Sequence, residues 1–108
     1  MSVLGELQPN KVFKYFEEIC SIPHGSRNLQ QISDYLVDFA KAHELKYRQD
    51  EDLNVIIWKD GSKGYEASEP VILQGHMDMV AVKEADCDKD MEKEGLDLEI
   101  NGDYISAK

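Results

Sequence analysis

The segment Val71–Gly75, "VILQG", constrains the fold of this chain more than any other, because three consecutive apolar residues leave a strand no polar face. Strands of this kind lie inside sheets that helices cover on both faces. Two helical patterns and two shorter extended segments precede it, and this order predicts an α/β fold with helices packed on a mixed sheet. Two helices cannot cover both faces of such a sheet. We therefore expect part of the packing surface to come from chain outside these 108 residues.

Helical periodicity marks the first part of the chain. Residues 9–20 place their apolar side chains on one stripe, which consists of Val12, Phe13, Phe16, Ile19 and Cys20. Pro9 suits the first turn of this helix, and Pro23 and Gly25 end it. A second helix is predicted to begin near Asn28, with Gln31 completing a capping box. Its buried stripe is expected to contain Leu29, Ile32, Leu36, Phe39 and Ala40.

The pattern after residue 44 is extended. Leu45, Tyr47 and Gln49 alternate, and "LNVIIWK" is rich in β-branched and aromatic residues. Residues 60–70 are rich in the Gly, Ser, Asp and Pro residues that form turns, which predicts a loop. The later segment "KEADCDKDMEKEG" is polar and has no apolar face. A hairpin closed by Asn101–Gly102 is predicted at the end of the chain. Trp58 and the three phenylalanines are expected in the core.

Charge excludes two classes of partner. The chain has 22 acidic and 12 basic side chains, for a formal net charge of −10. Nucleic acid and anionic membranes both require a basic surface that this sequence does not offer. No apolar run is long enough to span a bilayer, and residues 1–13 lack the basic and then apolar pattern of a secretory leader, so we expect neither insertion nor export. Cys20 and Cys87 are expected to be reduced thiols in the cytosol.

His76 and Asp78 are the candidate functional residues. They follow the predicted strand directly, and residues two apart in an extended segment point to the same side. The carboxyl ends of strands in α/β sheets are where ligands bind. A neutral imidazole is a good zinc ligand, and a carboxylate commonly fixes its orientation through the other ring nitrogen. The spacing also fits a histidine that is simply hydrogen-bonded to Asp78, so spacing alone leaves the function open.

Three other polar features carry weaker signals. The sequence "DCDKD" at residues 86–90 resembles the opening of a calcium loop, but Met91 and Asp97 stand where such a loop needs Gly and Glu. A mobile, solvated acidic loop is the better interpretation. His24 is expected on the surface of a Pro-Gly loop. His43, near the end of the second helix, is assigned no function.

Longer motifs distinguish these alternatives. The string "VILQGHMDMV", preceded by "IPHGSRN" and "LNVII" and followed by "INGDYISAK", resembles the amino-terminal part of the aminoacyl-histidine dipeptidases. These enzymes, also called Xaa-His dipeptidases or peptidase D, are co-catalytic zinc peptidases related to carnosinase. The resemblance covers essentially the whole chain. It implies that residues 1–108 are the amino-terminal portion of a zinc-exopeptidase-like catalytic domain.

The resemblance also implies a chemistry. The parent would be a cytoplasmic dipeptidase with two zinc ions, or cobalt or manganese in their place, that hydrolyses Xaa-His dipeptides and forms a homodimer. His76 matches a metal ligand and Asp78 the active-site aspartate that orients the histidine. The metals would polarise the scissile carbonyl and activate a water, and a carboxylate base would pass its proton to the leaving amine.

The remaining metal ligands and the general base of the family would lie beyond Lys108. The isolated chain is therefore expected to be inactive, because a zinc site needs at least three protein ligands. A different class of function is a small acidic module that binds a partner without catalysis.

Overall fold

Two helices and four short strands make up the regular structure of this chain, a computed structural model that describes residues 2–108. In order they are α1 Asn10–Cys20, α2 Gln30–Ala42, β1 Lys46–Gln49, β2 Val55–Trp58, β3 Leu98–Asn101 and β4 Tyr104–Ala107. The predicted α/β class is confirmed. The strands lie in two separate antiparallel hairpins, β1–β2 and β3–β4. Neither helix has the length and apolarity needed to cross a bilayer.

The chain divides into two units. The first, here called the terminal unit, consists of Met1–Ile32 and Asp78–Lys108, and the second, the central unit, is Ser33–Met77. The terminal unit contains α1 and the β3–β4 hairpin. The central unit contains most of α2 and the β1–β2 hairpin. Each unit therefore combines helical residues with one hairpin.

The core of the terminal unit forms between α1 and the β3–β4 hairpin. Leu4, Cys20 and Leu98 are buried, and four apolar side chains pack around them, namely Leu7, Phe13, Leu96 and Ile105. This cluster covers only part of the apolar stripe of α1. Val12 is 61% exposed and Phe16 is 45% exposed, so the prediction that Phe16 is a core residue is wrong for this chain. The hairpin is too small to cover the whole stripe.

Glu17 attaches the amino-terminal segment to α1. Its carboxylate accepts hydrogen bonds from the Ser2 hydroxyl at 2.8 Å, the Val3 amide at 2.7 Å and the Leu4 amide at 3.2 Å. These bonds favour the charged form, and the amide of Val3 contributes most to the lowered pKa of Glu17. Leu4 is thereby held in the core of the terminal unit.

The carboxyl-terminal hairpin forms where the sequence predicted it. Asn101 pairs with Tyr104, so the two turn residues are Gly102 and Asp103, one position later than predicted. Gly102 has φ of 60°, a conformation that glycine adopts without steric cost. The Asn101 side chain instead donates to the Ser106 hydroxyl at 2.8 Å.

Ser33 organises the central unit. It is fully buried, and its hydroxyl donates to the Leu53 carbonyl at 2.8 Å while accepting from the Gln49 amide at 2.7 Å. This pair of bonds ties α2 to both ends of the loop that joins β1 and β2. Val37 and Ala40 are buried on the same helix. Helix α2 begins at Gln30, and the predicted cap Asn28 donates its side-chain amide to the Glu92 carbonyl at 2.9 Å.

Asp50 closes the turn between β1 and β2. One carboxylate oxygen accepts from the amides of Asp52 at 3.0 Å and Asn54 at 2.8 Å, and the other accepts from the Asn54 side chain at 3.0 Å. The Asn54 side chain contributes most to the lowered pKa of Asp50. Trp58, at the end of β2, is 42% exposed, and the ammonium of Lys46 lies 4.9 Å from its ring centroid. Its expected place in the core is therefore wrong, because the two-stranded hairpin leaves one face open.

The segment Val71–Gly75 does not form a strand in this structure. Val71, Ile72 and Leu73 are 82%, 88% and 93% exposed, so the predicted buried strand is wrong for the chain as it stands. Strand pairing needs a neighbour that supplies ladder hydrogen bonds, and both hairpins of residues 2–108 pair only within themselves. The segment has the apolar residues of a buried strand, but the described residues provide no neighbouring strand for it to pair with.

Candidate functional site

The segment that follows Met77 lies against the loop at residues 23–26. The Met79 amide donates to the His24 carbonyl at 2.9 Å, and Gly25 and Met79 form an isolated parallel bridge. A side chain at position 25 would not fit, because a Cβ built on Gly25 would lie 2.7 Å from the Cβ of Ala81. Glycine is required here because the methyl group of Ala81 occupies the space that a side chain would need. The structure thus joins two of the strings that carry the family resemblance, "IPHGSRN" and "HMDMV".

Asp78 lies beside this bridge and is half-buried. Its Oδ2 accepts a hydrogen bond from the hydroxyl of Ser26 at 2.6 Å. Bonds of this length are typical of a hydroxyl that donates to a charged carboxylate, and they are stronger than those between neutral groups. The predicted active-site aspartate is therefore held by a residue of the opposite loop. No sequence pattern predicts a role for Ser26, although it lies within "IPHGSRN", a string that carries the family resemblance.

His76 lies in a segment without regular secondary structure that ends at Met77, and the residue is exposed. It belongs to the central unit, whereas Asp78 belongs to the terminal unit. The chain passes from one unit to the other between these two residues. The relative geometry of their side chains therefore stays a prediction from the i, i+2 spacing.

His24 is not the surface histidine that the sequence predicted. It is 9% exposed, and its Nδ1 lies 2.6 Å from the carbonyl oxygen of Ile22. A carbonyl can only accept, so Nδ1 carries the proton in this bond. The ring stabilises the tight turn of the loop while the backbone carbonyl of the same residue binds Met79. The His24 ring is buried because the segment that begins at Asp78 packs against the loop at residues 23–26.

Zinc accepts donors of the types present here, an imidazole and a carboxylate, but in greater number. Among residues 2–108 no group of three or more His, Cys, Asp or Glu side chains is arranged to hold a metal ion. The donor chemistry of His76 fits the metal that the resemblance implies. The number of donors does not complete a site. This includes the acidic segment 86–90, where no calcium site forms.

Lys89 explains the conformation of that acidic segment. Its ammonium donates to the Gly95 carbonyl and to Asp97 Oδ2, both at 2.8 Å, and its side chain is only 14% exposed. The segment thus contains a largely buried lysine side chain, which its polar sequence did not predict. The hydrogen bond between the two side chains lowers the pKa of Asp97 and raises that of Lys89.

The two cysteines are free thiols, as expected. Cys20 is buried in the core of the terminal unit, where desolvation, and secondarily the charge of Glu17, raises its pKa. A thiol of this kind is a poor nucleophile. His43 stacks on Phe39, with ring centroids 4.2 Å apart, and its Nδ1 lies 2.9 Å from the Phe39 carbonyl. These contacts leave His43 a structural part of the end of α2.

Comparison with known proteins confirms the resemblance that the motifs predict. The chain is 36% identical over 108 residues to the cytosol non-specific dipeptidase of Escherichia coli strain K12, a match that covers 100% of this chain and 22% of the relative. It also matches the crystal structure of aminoacylhistidine dipeptidase from Vibrio alginolyticus with a TM-score of 0.92 and 34% identity. That match covers 99% of this chain and 22% of the solved chain. No protein-family model matches the sequence. The chain thus spans about a fifth of the length of each relative.

Proposed function

We propose that this chain is part of a dinuclear zinc dipeptidase that hydrolyses Xaa-His dipeptides. The observation that supports the proposal most is the match of the whole chain to two dipeptidases, one by sequence and one by structure. The bridge between Gly25 and Met79 adds support, because it gives a packing reason for one residue of each string that carries the resemblance. We extend the activity from the relatives to this chain as a hypothesis about the full-length protein.

In this proposal His76 is a ligand of one metal and Asp78 is the active-site aspartate. A ligand imidazole binds the metal through one nitrogen and donates its other N–H to an acceptor that fixes the ring. Asp78 is two residues away and has a carboxylate whose position is already fixed by a hydrogen bond. We assign it the role of that acceptor. The other ligands and the proton-transferring carboxylate would come from chain outside these 108 residues.

Zinc bound at such a site supplies Lewis acidity, which polarises the scissile carbonyl and acidifies a water. The proposed roles of His76 and Asp78 are to bind the metal and to orient its ligand. His76 contributes one neutral donor, and Asp78 keeps its imidazole in one tautomer and one orientation. Because two residues cannot complete a site, the 108-residue chain alone is expected to bind zinc weakly and to be inactive.

The remaining parts of the proposal concern partners and location. We propose a dipeptide substrate, a cytoplasmic location and a homodimer of the full-length enzyme, with cobalt or manganese as alternative metals. The net charge of −10 argues against nucleic acid and anionic membranes as partners.

The alternative of a small acidic binding module is not favoured by the comparisons. The two hypotheses make different predictions for the sequence encoded after Lys108. A glycine-rich segment with an aspartate, followed by a pair of glutamates, supports the dipeptidase. An immediate stop codon supports the module.

The decisive experiment is an assay of the full-length protein. Apoprotein prepared with a chelator should recover hydrolysis when zinc is restored, and dipeptides with histidine at the carboxyl side should be cleaved faster than matched dipeptides with alanine there. Absence of hydrolysis with zinc, cobalt and manganese would refute the activity. Equal rates on both substrates would refute the Xaa-His preference alone.

A further inference from the structure

We propose that Ser26 is a positioning residue that holds Asp78 in the orientation the metal site requires. The inference rests on the proposed function, since it assigns Ser26 a role in the same site. Ser26 is exposed, lies on a different part of the chain from Asp78, and is tied to it directly by the 2.6 Å bond from its hydroxyl to Oδ2. A serine that served only the loop would bond within the loop.

The backbone around both residues is fixed independently of this bond. Gly25 and Met79, the neighbours of Ser26 and Asp78, form the parallel bridge, and the Met79 amide binds the His24 carbonyl at 2.9 Å. The two residues therefore flank the bridge diagonally and lie on the same face of the paired backbone, where the hydroxyl reaches the carboxylate. The hydroxyl is presented to the carboxylate without a large loss of conformational entropy.

The bond restricts the one rotation that matters for Asp78. An aspartate has two torsions, and the second, which turns the carboxylate plane, is broad and poorly determined by sterics. A strong hydrogen bond to Oδ2 fixes this plane. A carboxylate that is fixed in this way keeps its acceptor direction toward a histidine ring constant, whereas a free one would rotate among several orientations.

The role can be tested in the full-length protein with zinc alone as the probe. Ser26→Ala, Asp78→Asn and the double variant are purified as apoproteins, and zinc affinity is measured by competition with a chromophoric chelator. Groups that orient a ligand histidine typically contribute 10-fold to 100-fold to metal affinity, so we expect Ser26→Ala to weaken zinc binding about tenfold. In the Asp78→Asn background the same substitution should change it less than about twofold, because the two residues act as a unit.

Two further variants separate positioning from folding. Ser26→Thr keeps the hydroxyl and should bind zinc as the natural protein does. Ser21→Ala is the matched control, because Ser21 is also exposed, lies in the same unit and also makes a 2.6 Å hydrogen bond, to the Glu18 carbonyl. It should leave zinc affinity and the kcat of dipeptide hydrolysis unchanged. In Ser26→Ala, kcat at saturating zinc should fall while KM for the dipeptide stays the same.

The outcomes are distinct. An equal loss of zinc affinity from Ser26→Ala in both backgrounds, or no loss in either, would overturn the role of Ser26 while leaving the dipeptidase proposal intact. If the natural full-length protein neither binds zinc nor cleaves dipeptides, the proposed function fails, and this inference fails with it.

Discussion

The amide of Met79 donates a 2.9 Å hydrogen bond to the carbonyl of His24, and this bond joins two segments that lie far apart in the sequence. It brings the loop at residues 23–26 against the residues that follow Met77. The residue between His24 and Ser26 is a glycine because no larger side chain fits the gap. The contact makes a specific prediction about that glycine.

Gly25→Ala is expected to destabilise the terminal unit by roughly 1–3 kcal/mol, the usual cost of forcing an extra methyl into a packed contact. The new Cβ would lie 2.7 Å from the Cβ of Ala81. Urea unfolding of the full-length protein measures the loss. Adding Ala81→Gly removes the opposing methyl and should restore most of the stability. A double variant no more stable than Gly25→Ala would contradict this explanation.

His76→Ala is expected to remove one zinc equivalent from the full-length protein and to lower dipeptide hydrolysis by more than about 100-fold, since loss of a ligand exceeds the effect of losing a group that orients it. Elemental analysis and a steady-state assay measure the two effects. His43→Ala is the matched control, because His43 contacts only the end of its own helix in the contacts described above. Unchanged metal content in His76→Ala would remove the ligand assignment.

Asp78→Asn is expected to retain most of its zinc when the metal is in excess and to lose about 100-fold in kcat. The amide keeps the size of the side chain but removes the charge that stabilises an imidazole N–H donor. Metal content after dialysis against excess zinc and kcat are measured on the same sample. A variant as active as the natural protein would leave Asp78 with a structural role only.

The sequence predicted the local elements better than their packing. Both helices, the two extended segments before residue 60 and the carboxyl-terminal hairpin form where periodicity and turn residues placed them, within one or two residues. These patterns depend on local sterics and hydrogen bonds that the chain carries within itself. Phe16, Trp58 and Val71–Leu73 were expected in a core but are exposed, because burial depends on partners that residues 2–108 do not supply.

At the candidate site, too, contacts between distant segments could not be predicted from the sequence. The assignments of His76 and Asp78 rest on the chemistry of their side chains and on a predicted strand-end position, and both stay predictions. Ser26 was missed because a hydroxyl is common and has no distinctive spacing; only the pairing of two distant segments identifies it. His24 was misplaced for the same reason, since its burial depends on the segment that covers it.

The isolated 108-residue chain is expected to self-associate through Val71–Leu73. This apolar stretch is exposed, and unpaired apolar segments that can form strands associate readily with other chains. Sedimentation velocity at micromolar concentration should show dimers or larger species. Ile72→Lys should shift the distribution toward monomer, whereas Lys63→Ala, in the exposed loop before it, should not. A monomeric natural chain would contradict the prediction.

Glu17→Gln is expected to loosen the amino-terminal segment by roughly 1 kcal/mol, a low value for bonds to a charged acceptor because the carboxylate is near the surface. Hydrogen exchange of a peptide that covers residues 2–7 should show the protection of Val3 and Leu4 fall about fivefold. Protection elsewhere in α1 should not change.

The pH dependence of this contact follows from the lowered pKa of Glu17. A carboxylate with a depressed pKa in the folded state contributes its full stability above its unfolded pKa, about 4.3 for glutamate. The contribution is lost as pH falls from there through the folded pKa. Protection of Val3, corrected for intrinsic exchange, should therefore decrease below pH 4 in the natural protein and be flat in Glu17→Gln.

The bridge between Gly25 and Met79 joins two segments that are distant in sequence into one packed structural unit. A protein engineer who transplants one of them into a relative without the other would separate a matched pair of surfaces. Chimeras should therefore exchange residues 23–26 and 78–81 together, and random mutagenesis aimed at either string should be screened for compensating changes in the other.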